Sequence, residues 1–307
     1  MSLGPAADAR IALGNRGLSV APLGWGMWRL AEPAEASVRE RVEAALEAGC
    51  TLFDTADVYG HGKGSGFGAC ESLFGAVLRE APHLRDRIVL ATKAGITPPV
   101  PYDSSAGYLL AACDASLRRL GVECIDLYQI HRPDLLAHPA EVAQALERLR
   151  RSGKIREAGV SNYSAAQFEA LCAHLPFALA SVQNELSPLA IDAFVDGTLD
   201  AAMRRGTAVL AWSPLAQGRL GVGAGGLADS PRTERVIAAL DAIARRDDVP
   251  RAAVAYAWIM AHPARPVPLI GSQSPARIRE ARAAYGVHLT RGDWYRILVA
   301  ARGAPMP

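Results

Sequence analysis

Seven polar or ionisable side chains close successive apolar runs of this 307-residue sequence. They are Asp54, Lys93, His131, Asn162, Gln183, Ser213 and Ser272, and Tyr59 follows Asp54 by five residues. A residue at the carboxyl end of a parallel barrel strand lies at the mouth of the barrel, where barrel active sites are built. Any one of these residues could instead be a helix cap or a loop contact. Seven of them at one rim predict a functional site.

A proton donor can be assembled from Asp54, Tyr59, Lys93 and His131. A lysine buried beside a carboxylate keeps its charge, and an ammonium beside a phenol lowers the pKa of the phenol from about 10. A neutral imidazole could then orient an oxygen that is becoming an alkoxide. The sequence contains no GxSxG or HExxH motif, which disfavours a hydrolase or a metalloenzyme. We therefore expect general acid chemistry and no metal.

Short apolar runs rich in Val, Ile and Leu are the strands that would position these groups. Eight of them alternate with segments of helical periodicity, at 22–28, 51–55, 87–93, 125–131, 156–162, 180–185, 207–213 and 266–272. Successive run ends lie 21 to 39 residues apart as far as Ser213, which is the length of a βα unit. Eight strands in unbroken order predict an α/β fold, the (β/α)8 TIM barrel, rather than a doubly wound sheet of about five or six strands.

The segments between the strands predict the outer helices and an N-terminal plug. Amphipathic stretches cover 69–80, 106–120, 139–153 and 164–175, with Ser104 or Ser105 as N-cap of the second. The 59 residues from Ser213 to Ser272 must hold an insertion, which we assign to the Gly-rich segment 218–231 and a helix near 232–247. Residues 14–17, GNRG, predict a β-hairpin turn closing the N-terminal end of the barrel. We expect one domain over 1–307.

Composition and charge narrow the possible partners. The chain is 50% hydrophobic and has a net charge of only +2, so no general field attracts nucleic acid or an acidic membrane. Its longest apolar stretch, 252–261, is too short to span a bilayer. The N-terminus lacks the pattern of a signal peptide, and the five cysteines include no CxxC pair. These features predict a cytoplasmic protein with free thiols, a monomer by default, that acts on a small molecule.

The motifs TLFDTADVYG, VLATKAG, LYQIHRPD, SGKIREAGVSNYS, SVQNELSPL and AWSPLAQGRL together resemble those of the aldo-keto reductase superfamily. The resemblance runs through nearly the whole chain. It implies a (β/α)8 barrel, NAD(P)H bound in an extended form without a Rossmann domain, and a catalytic tetrad of Asp54, Tyr59, Lys93 and His131. On this resemblance Tyr59 protonates the carbonyl oxygen during hydride delivery. Lys93 and Asp54 tune it, and His131 positions the substrate.

The same resemblance implies the residues that bind the nicotinamide end of the cofactor. Ser161, Asn162 and Gln183 would hold the carboxamide, and Trp212 would stack on the ring. Without the resemblance, core burial is an equal alternative for Trp212. Further cofactor contacts are expected at Gly26, Met27, Ser213, Leu215, Gly218 and Arg219. The glycine cluster 221–226 is either a flap over the pyrophosphate or a plain linker. Trp28 is expected at the mouth as an apolar wall for the substrate.

The adenosine end of the cofactor is expected in the segment IGSQSPARIREARAAY. The resemblance places Ser272 and Arg277 on the 2′-phosphate of NADP(H) and Glu280 near the adenine. Gly271 stands where many members have a lysine, and Ala281 stands where many have an asparagine. Arg277 can still recognise a phosphate, or it can be one solvated charge on a basic helix. We therefore predict a preference for NADPH over NADH that is less steep than with two cations.

Two kinds of function follow from these features. The first is an oxidoreductase that reduces aldehydes or ketones to alcohols by hydride transfer from NADPH, with Tyr59 as the general acid. The alternative is a non-catalytic NADP(H)-binding regulatory or redox-sensing subunit. The intact tetrad favours the enzyme. The identity of the substrate depends on the shape of the loops and cannot be derived from the tetrad.

Overall fold

The first folded element is a β-hairpin, as the sequence predicts. A computed structural model describes residues 3–4, 6–62, 64–221 and 230–307. In it β1 (Ile11–Leu13) and β2 (Leu18–Val20) pair antiparallel. The turn between them begins at Gly14 and ends at Gly17, with φ of +67° and +77°. Glycine adopts this left-handed backbone region without steric strain. The buried face of the hairpin packs on the bottom of the barrel core, beside Leu52, Leu127 and Leu210.

Eight parallel strands close into a barrel, which confirms the predicted fold class. In chain order they are β3 (Gly24–Gly26), β4 (Leu52–Asp54), β5 (Val89–Ala94), β8 (Ile125–Ile130), β9 (Ile155–Ser161), β10 (Ser181–Glu185), β11 (Ala208–Trp212) and β12 (Val267–Ile270). Each strand pairs with the next, and β12 pairs with β3. A small antiparallel hairpin, β6 (Ile96–Thr97) and β7 (Val100–Tyr102), occupies the loop after β5. The sequence analysis did not predict this hairpin.

Helices surround the barrel and cover the outer faces of its strands. They are α1 (Val38–Glu47), α2 (Ala69–Glu80), α3 (Ala106–Leu120), α4 (Pro139–Arg151), α5 (Ala165–Cys172), α6 (Thr198–Arg205), α7 (Pro231–Asp247), α8 (Arg251–Met260), α9 (Pro275–Glu280) and α10 (Arg291–Arg302). The predicted helices are present, and the Ser105 side chain caps α3. Within the described ranges, no helix has the length and apolarity needed to cross a membrane.

The long interval between β11 and β12 contains two helices rather than one. Ser230 caps α7, which matches the predicted helix. The next helix, α8, has eight of its ten residues buried, so it is covered on all sides. The apolar run at 252–261 is therefore a core helix of the barrel wall. All five cysteines are free thiols, as expected.

Candidate active site

The carboxyl ends of the strands bring Lys93 and Asp54 together at the mouth of the barrel. Lys93 Nζ lies 2.6 Å from Asp54 Oδ2 and also donates to the carbonyl oxygen of Thr55 at 2.7 Å. Both side chains are almost fully buried. Burial by itself lowers the pKa of Lys93, but the attraction and hydrogen bonds of Asp54 and Tyr59 together outweigh it, so the pKa lies above its ordinary value. Lys93 is therefore a fixed ammonium, as the sequence predicts.

Tyr59 lies beside this ion pair. Lys93 Nζ is 5.0 Å from the centroid of the Tyr59 ring, and the ring of His131 stands edge-on at 5.6 Å. The sequence-based expectation of a lowered tyrosine pKa is wrong for this structure, because burial raises the pKa of Tyr59 more than the nearby ammonium lowers it. The phenol keeps its proton at neutral pH. This is the state that a proton donor requires.

His131 follows β8 and is buried next to Tyr59. Burial, together with the positive charges of Lys93 and Arg132, holds the pKa of His131 well below its ordinary value. The imidazole is therefore neutral and can donate one hydrogen bond to a substrate oxygen. Its buried Nδ1 contacts no partner in the part of the chain that the structure describes. The neutral form is the one that the sequence analysis assumed.

Asn162 connects the ends of three strands. It directly follows β9 with a φ of +61°, a conformation that asparagine tolerates better than most residues. Its Nδ2 donates to the carbonyl oxygen of His131 and to Ser161 Oγ, each at 3.0 Å. Its Oδ1 accepts from Trp212 Nε1 at 3.1 Å, which fixes the edge of the half-buried indole. Ser161 Oγ in turn donates to the carbonyl oxygen of Gln183 at 2.9 Å.

Gln183 and a residue that the sequence analysis missed both point at Asp54. Gln183 Nε2 donates to Asp54 Oδ1 at 3.0 Å, and Gln129 Nε2 donates to the same oxygen at 3.2 Å. Gln129 is fully buried in β8. A glutamine inside the apolar run IDLYQIH was the available signal, since a buried amide must find hydrogen-bond partners.

The loop after β11 is a tight coil at the rim. Ser213, Ala216 and Gln217 have positive φ values of 50°, 49° and 60°, an uncommon concentration for non-glycine residues. The turn is closed by hydrogen bonds from Ala216 N to Ser213 O at 2.8 Å and from Gly218 N to Leu215 O at 3.0 Å. Arg219 Nε donates to the carbonyl oxygen of Ala216. Of the glycine cluster 221–226, residues 222–226 lie outside the described residues, so flap and linker both stay open.

The loop after β12 contains the residues assigned to the adenosine phosphate. Trp25 Nε1 donates to the carbonyl oxygen of Ser272 at 3.2 Å, which ties the loop to β3. Arg277 and Glu280 lie on α9 with exposed side chains. Gly271 is exposed, and a Cβ built there meets no atom within 4 Å. A side chain can therefore leave the backbone at position 271 without a clash at its Cβ.

The end of β3 forms another part of the rim. Gly26 closes the strand, and Met27 is fully buried with its N–H donating to the carbonyl oxygen of Asp54 at 2.9 Å. Trp28 is 49% exposed, whereas Trp25 is fully buried and packs edge-on against Phe53. The two tryptophans thus lie in different environments, and only Trp28 is open to a ligand.

Asp57 is a buried carboxyl behind the site that the sequence analysis also missed. It is fully buried, and its Oδ2 accepts from the Tyr108 hydroxyl on α3 at 3.2 Å. Burial and repulsion from Glu71 raise the pKa of Asp57 to about 8. Arg119 counteracts this shift only in part, because it is paired with Glu71 at 2.6 Å. Asp57 is therefore largely protonated at neutral pH.

We expect Asp57 to make the folded protein less stable as pH rises from about 4 to about 8. In this window the unfolded chain has lost the proton and the folded chain still holds it, so the free energy of unfolding decreases with pH and levels off above about 8. Asp57→Asn keeps an acceptor for Tyr108 but cannot ionise. Its melting temperature should exceed that of the wild type by a margin that grows up to pH 8. Melts of the exposed-site control Asp86→Asn should show no such trend, and a constant difference for Asp57→Asn would refute the assignment.

Comparison with known proteins agrees with this fold. A model of the aldo/keto reductase family matches residues 22–300. The chain is 52% identical to 6-dehydroglucose reductase of Novosphingobium aromaticivorans, with 96% of each chain covered. It is 37% identical to 6-dehydroglucose reductase of Agrobacterium fabrum, with 96% of this chain and 98% of that protein covered. A crystal structure of a thermostable aldo-keto reductase with the inhibitor epalrestat superposes with a TM-score of 0.81 over 95% of this chain, at 23% identity, and supports the fold.

The chain belongs to the aldo/keto reductase family. It is an oxidoreductase that reduces aldehydes or ketones and binds a nicotinamide cofactor. None of these relatives points to the non-catalytic alternative.

Proposed function

We propose that the protein is an NADPH-dependent reductase of a sugar aldehyde, with 6-dehydroglucose as the substrate to test first. The observation that carries the catalytic part is the protonated Tyr59 placed between a buried ammonium, Lys93, and a neutral imidazole, His131. This arrangement can protonate an oxygen and stabilise the charge that remains.

Each tetrad residue has a separate task in this proposal. His131 donates a hydrogen bond to the carbonyl oxygen and orients it, and Tyr59 transfers its proton to that oxygen as it becomes an alkoxide. The Lys93 ammonium stabilises the phenolate that remains on Tyr59, and Asp54 holds Lys93 in place through the 2.6 Å contact. The low exposure of the group strengthens these electrostatic interactions, because little water competes for them.

The described residues fit a nicotinamide cofactor along the rim. NADPH supplies the hydride when it is bound. Trp212 presents a partly exposed ring whose orientation is fixed by its hydrogen bond to Asn162, so it would stack on the nicotinamide. Ser161, Asn162 and Gln183 would face the carboxamide. The turn at 213–219, including Leu215, Gly218 and Arg219, would follow the pyrophosphate, with Ser272, Arg277 and Glu280 at the adenosine end.

The choice of a sugar aldehyde rests on two relatives and on the polarity of the mouth. Both relatives named 6-dehydroglucose reductase cover nearly the whole chain. Arg132 follows His131, and Glu185 closes β10 with a pKa raised by partial burial. Charged groups at the carboxyl ends of β8 and β10, together with the exposed Trp28 ring after β3, suit a substrate with several hydroxyls and an apolar ring face.

A carbonyl panel tests both parts of the proposal. NADPH oxidation would be followed with 6-dehydroglucose, short aliphatic aldehydes, aromatic aldehydes and ketones. Glucose is the control, because it carries a hydroxyl instead of the aldehyde at C6. We expect kcat/KM to be highest for 6-dehydroglucose. Reduction of the other aldehydes but not of 6-dehydroglucose would overturn the substrate and leave the reductase chemistry in place. Reduction of none of them would contradict the catalytic assignment as well.

A further inference from the structure

A side-chain hydrogen bond inside the barrel spans two strands that are not neighbours. The barrel order is β8, β9, β10, so β9 separates Gln129 on β8 from Ser181 on β10. Ser181 Oγ nevertheless donates to Gln129 Oε1 at 3.1 Å, and both residues are fully buried. Adjacent strands lie about 4.8 Å apart, so the two backbones are separated by about 10 Å. The intervening strand must leave room for this contact.

Gly159 on β9 provides that room. In the strand register it pairs with Gln129 on one side and with Ser181 on the other. A Cβ at position 159 would lie 2.1 Å from Ser181 Oγ and 3.2 Å from Gln129 Cγ. Gly159 is not among the residues with positive φ. Glycine is therefore needed at position 159 for the space that a missing side chain leaves, and not for an unusual backbone conformation. The hydrogen bond between Ser181 and Gln129 passes through this space.

The orientation of the Gln129 amide follows from its partners. Its Nε2 donates to Asp54 Oδ1, and its Oε1 accepts from Ser181 and, at 3.4 Å, from Gln183 Nε2. A flipped amide would place an oxygen against the Asp54 carboxylate, which repels it. Gln129 thus contacts the carboxylate of the tetrad and the glutamine assigned to the cofactor carboxamide at the same time.

We propose that Gln129 is a positioning residue that, seated over Gly159 and held by Ser181, fixes Asp54 and Gln183 in one rigid network. This inference rests on the proposed roles of Asp54 and Gln183. It couples the proton-donating group to the residue that holds the nicotinamide, so that loss of the amide disturbs both. Gln129 itself touches neither substrate nor cofactor in this scheme.

The test is Gln129→Met, which keeps the length of the side chain and removes its hydrogen bonds. Because a hydrogen bond to a charged group contributes about 1.5 kcal/mol or more, we expect kcat to fall about 10-fold. The hydrogen bond from Gln183 to Gln129 joins two neutral amides and positions Gln183 toward the nicotinamide carboxamide. Its loss should weaken NADPH binding by about 2- to 10-fold. The alkaline limb of the kcat profile should move to higher pH, since removing a donor from Asp54 makes the site more negative and raises the pKa of Tyr59.

Leu127→Met is the matched control. Leu127 lies two residues earlier on β8 and packs in the lower core with Leu52 and Leu210. Its variant should keep wild-type kcat, NADPH affinity and pH profile. Should Gln129→Met fold poorly, Ser181→Ala removes only the hydroxyl that orients the amide and should change the same three quantities in the same directions, but less.

The outcomes separate this inference from the proposed function. If Gln129→Met and Ser181→Ala both match Leu127→Met in kcat, NADPH affinity and pH profile, Gln129 has no positioning role. If the wild type binds NADPH but reduces no carbonyl, the catalytic proposal fails. The effect of Gln129→Met on NADPH affinity then still decides whether Gln129 positions Gln183.

Discussion

Tyr59→Phe should abolish carbonyl reduction and leave NADPH binding nearly unchanged. The substitution removes the proposed proton donor and almost no contact area, so kcat should fall by about 10² to 10⁴, the usual contribution of a general acid. The raised pKa of Tyr59 strengthens this expectation, because the protein holds the phenol in its donor form at neutral pH. Steady-state kinetics and a fluorescence titration with NADPH measure the two effects separately.

The control for Tyr59→Phe is Tyr256→Phe. Tyr256 is buried on α8, among the core residues that pack against the barrel wall. Its variant should retain wild-type turnover. Turnover of Tyr59→Phe within a few-fold of the wild type would show that another group supplies the proton. A parallel loss of NADPH affinity would show instead that the ring of Tyr59 contributes to cofactor binding.

Arg277→Ala should weaken NADPH binding by about 10- to 150-fold and affect NADH far less. A hydrogen bond to a charged group contributes about 1.5 to 3 kcal/mol, and NADH lacks the phosphate that would receive it. Arg277 is exposed on α9, so the preference for NADPH should also shrink as salt rises. Dissociation constants for both cofactors, measured at low and high salt, test this expectation.

Arg279→Ala is the matched control for Arg277→Ala, because Arg279 lies on the same helix and pairs with Glu47. Its loss should alter NADPH affinity only slightly. Gly271→Lys gives the complementary gain, since the open space at this position admits a second cation beside Ser272, and it should increase the preference for NADPH. Equal losses of NADPH and NADH affinity in Arg277→Ala would exclude a role in reading the 2′-phosphate.

The sequence by itself determined the barrel and most of the site. Each barrel strand is a short apolar run, and parallel strands place their carboxyl ends on one rim. Because Asp54, Lys93 and His131 end three such runs, the sequence predicted that their side chains lie close together. A serine cap of α3 was equally local information, because a serine before an amphipathic segment satisfies a free N–H of the helix. The sequence allowed Ser104 or Ser105, and the structure shows that Ser105 is the cap.

Only the tertiary structure determined the protonation states of the buried groups and the hydrogen bonds that hold them. The pKa of Tyr59 depends on the sum of burial and charges from several strands, and that sum has the opposite sign to the effect of Lys93 alone. Asp57 becomes protonated because distant chain segments remove it from water. The glutamine in IDLYQIH signals a buried amide, but its relation to Gly159 and Ser181 exists only because closure of the barrel sets the three residues in one register. Desolvation and contacts between distant strands are properties of the closed barrel, and no local pattern encodes them.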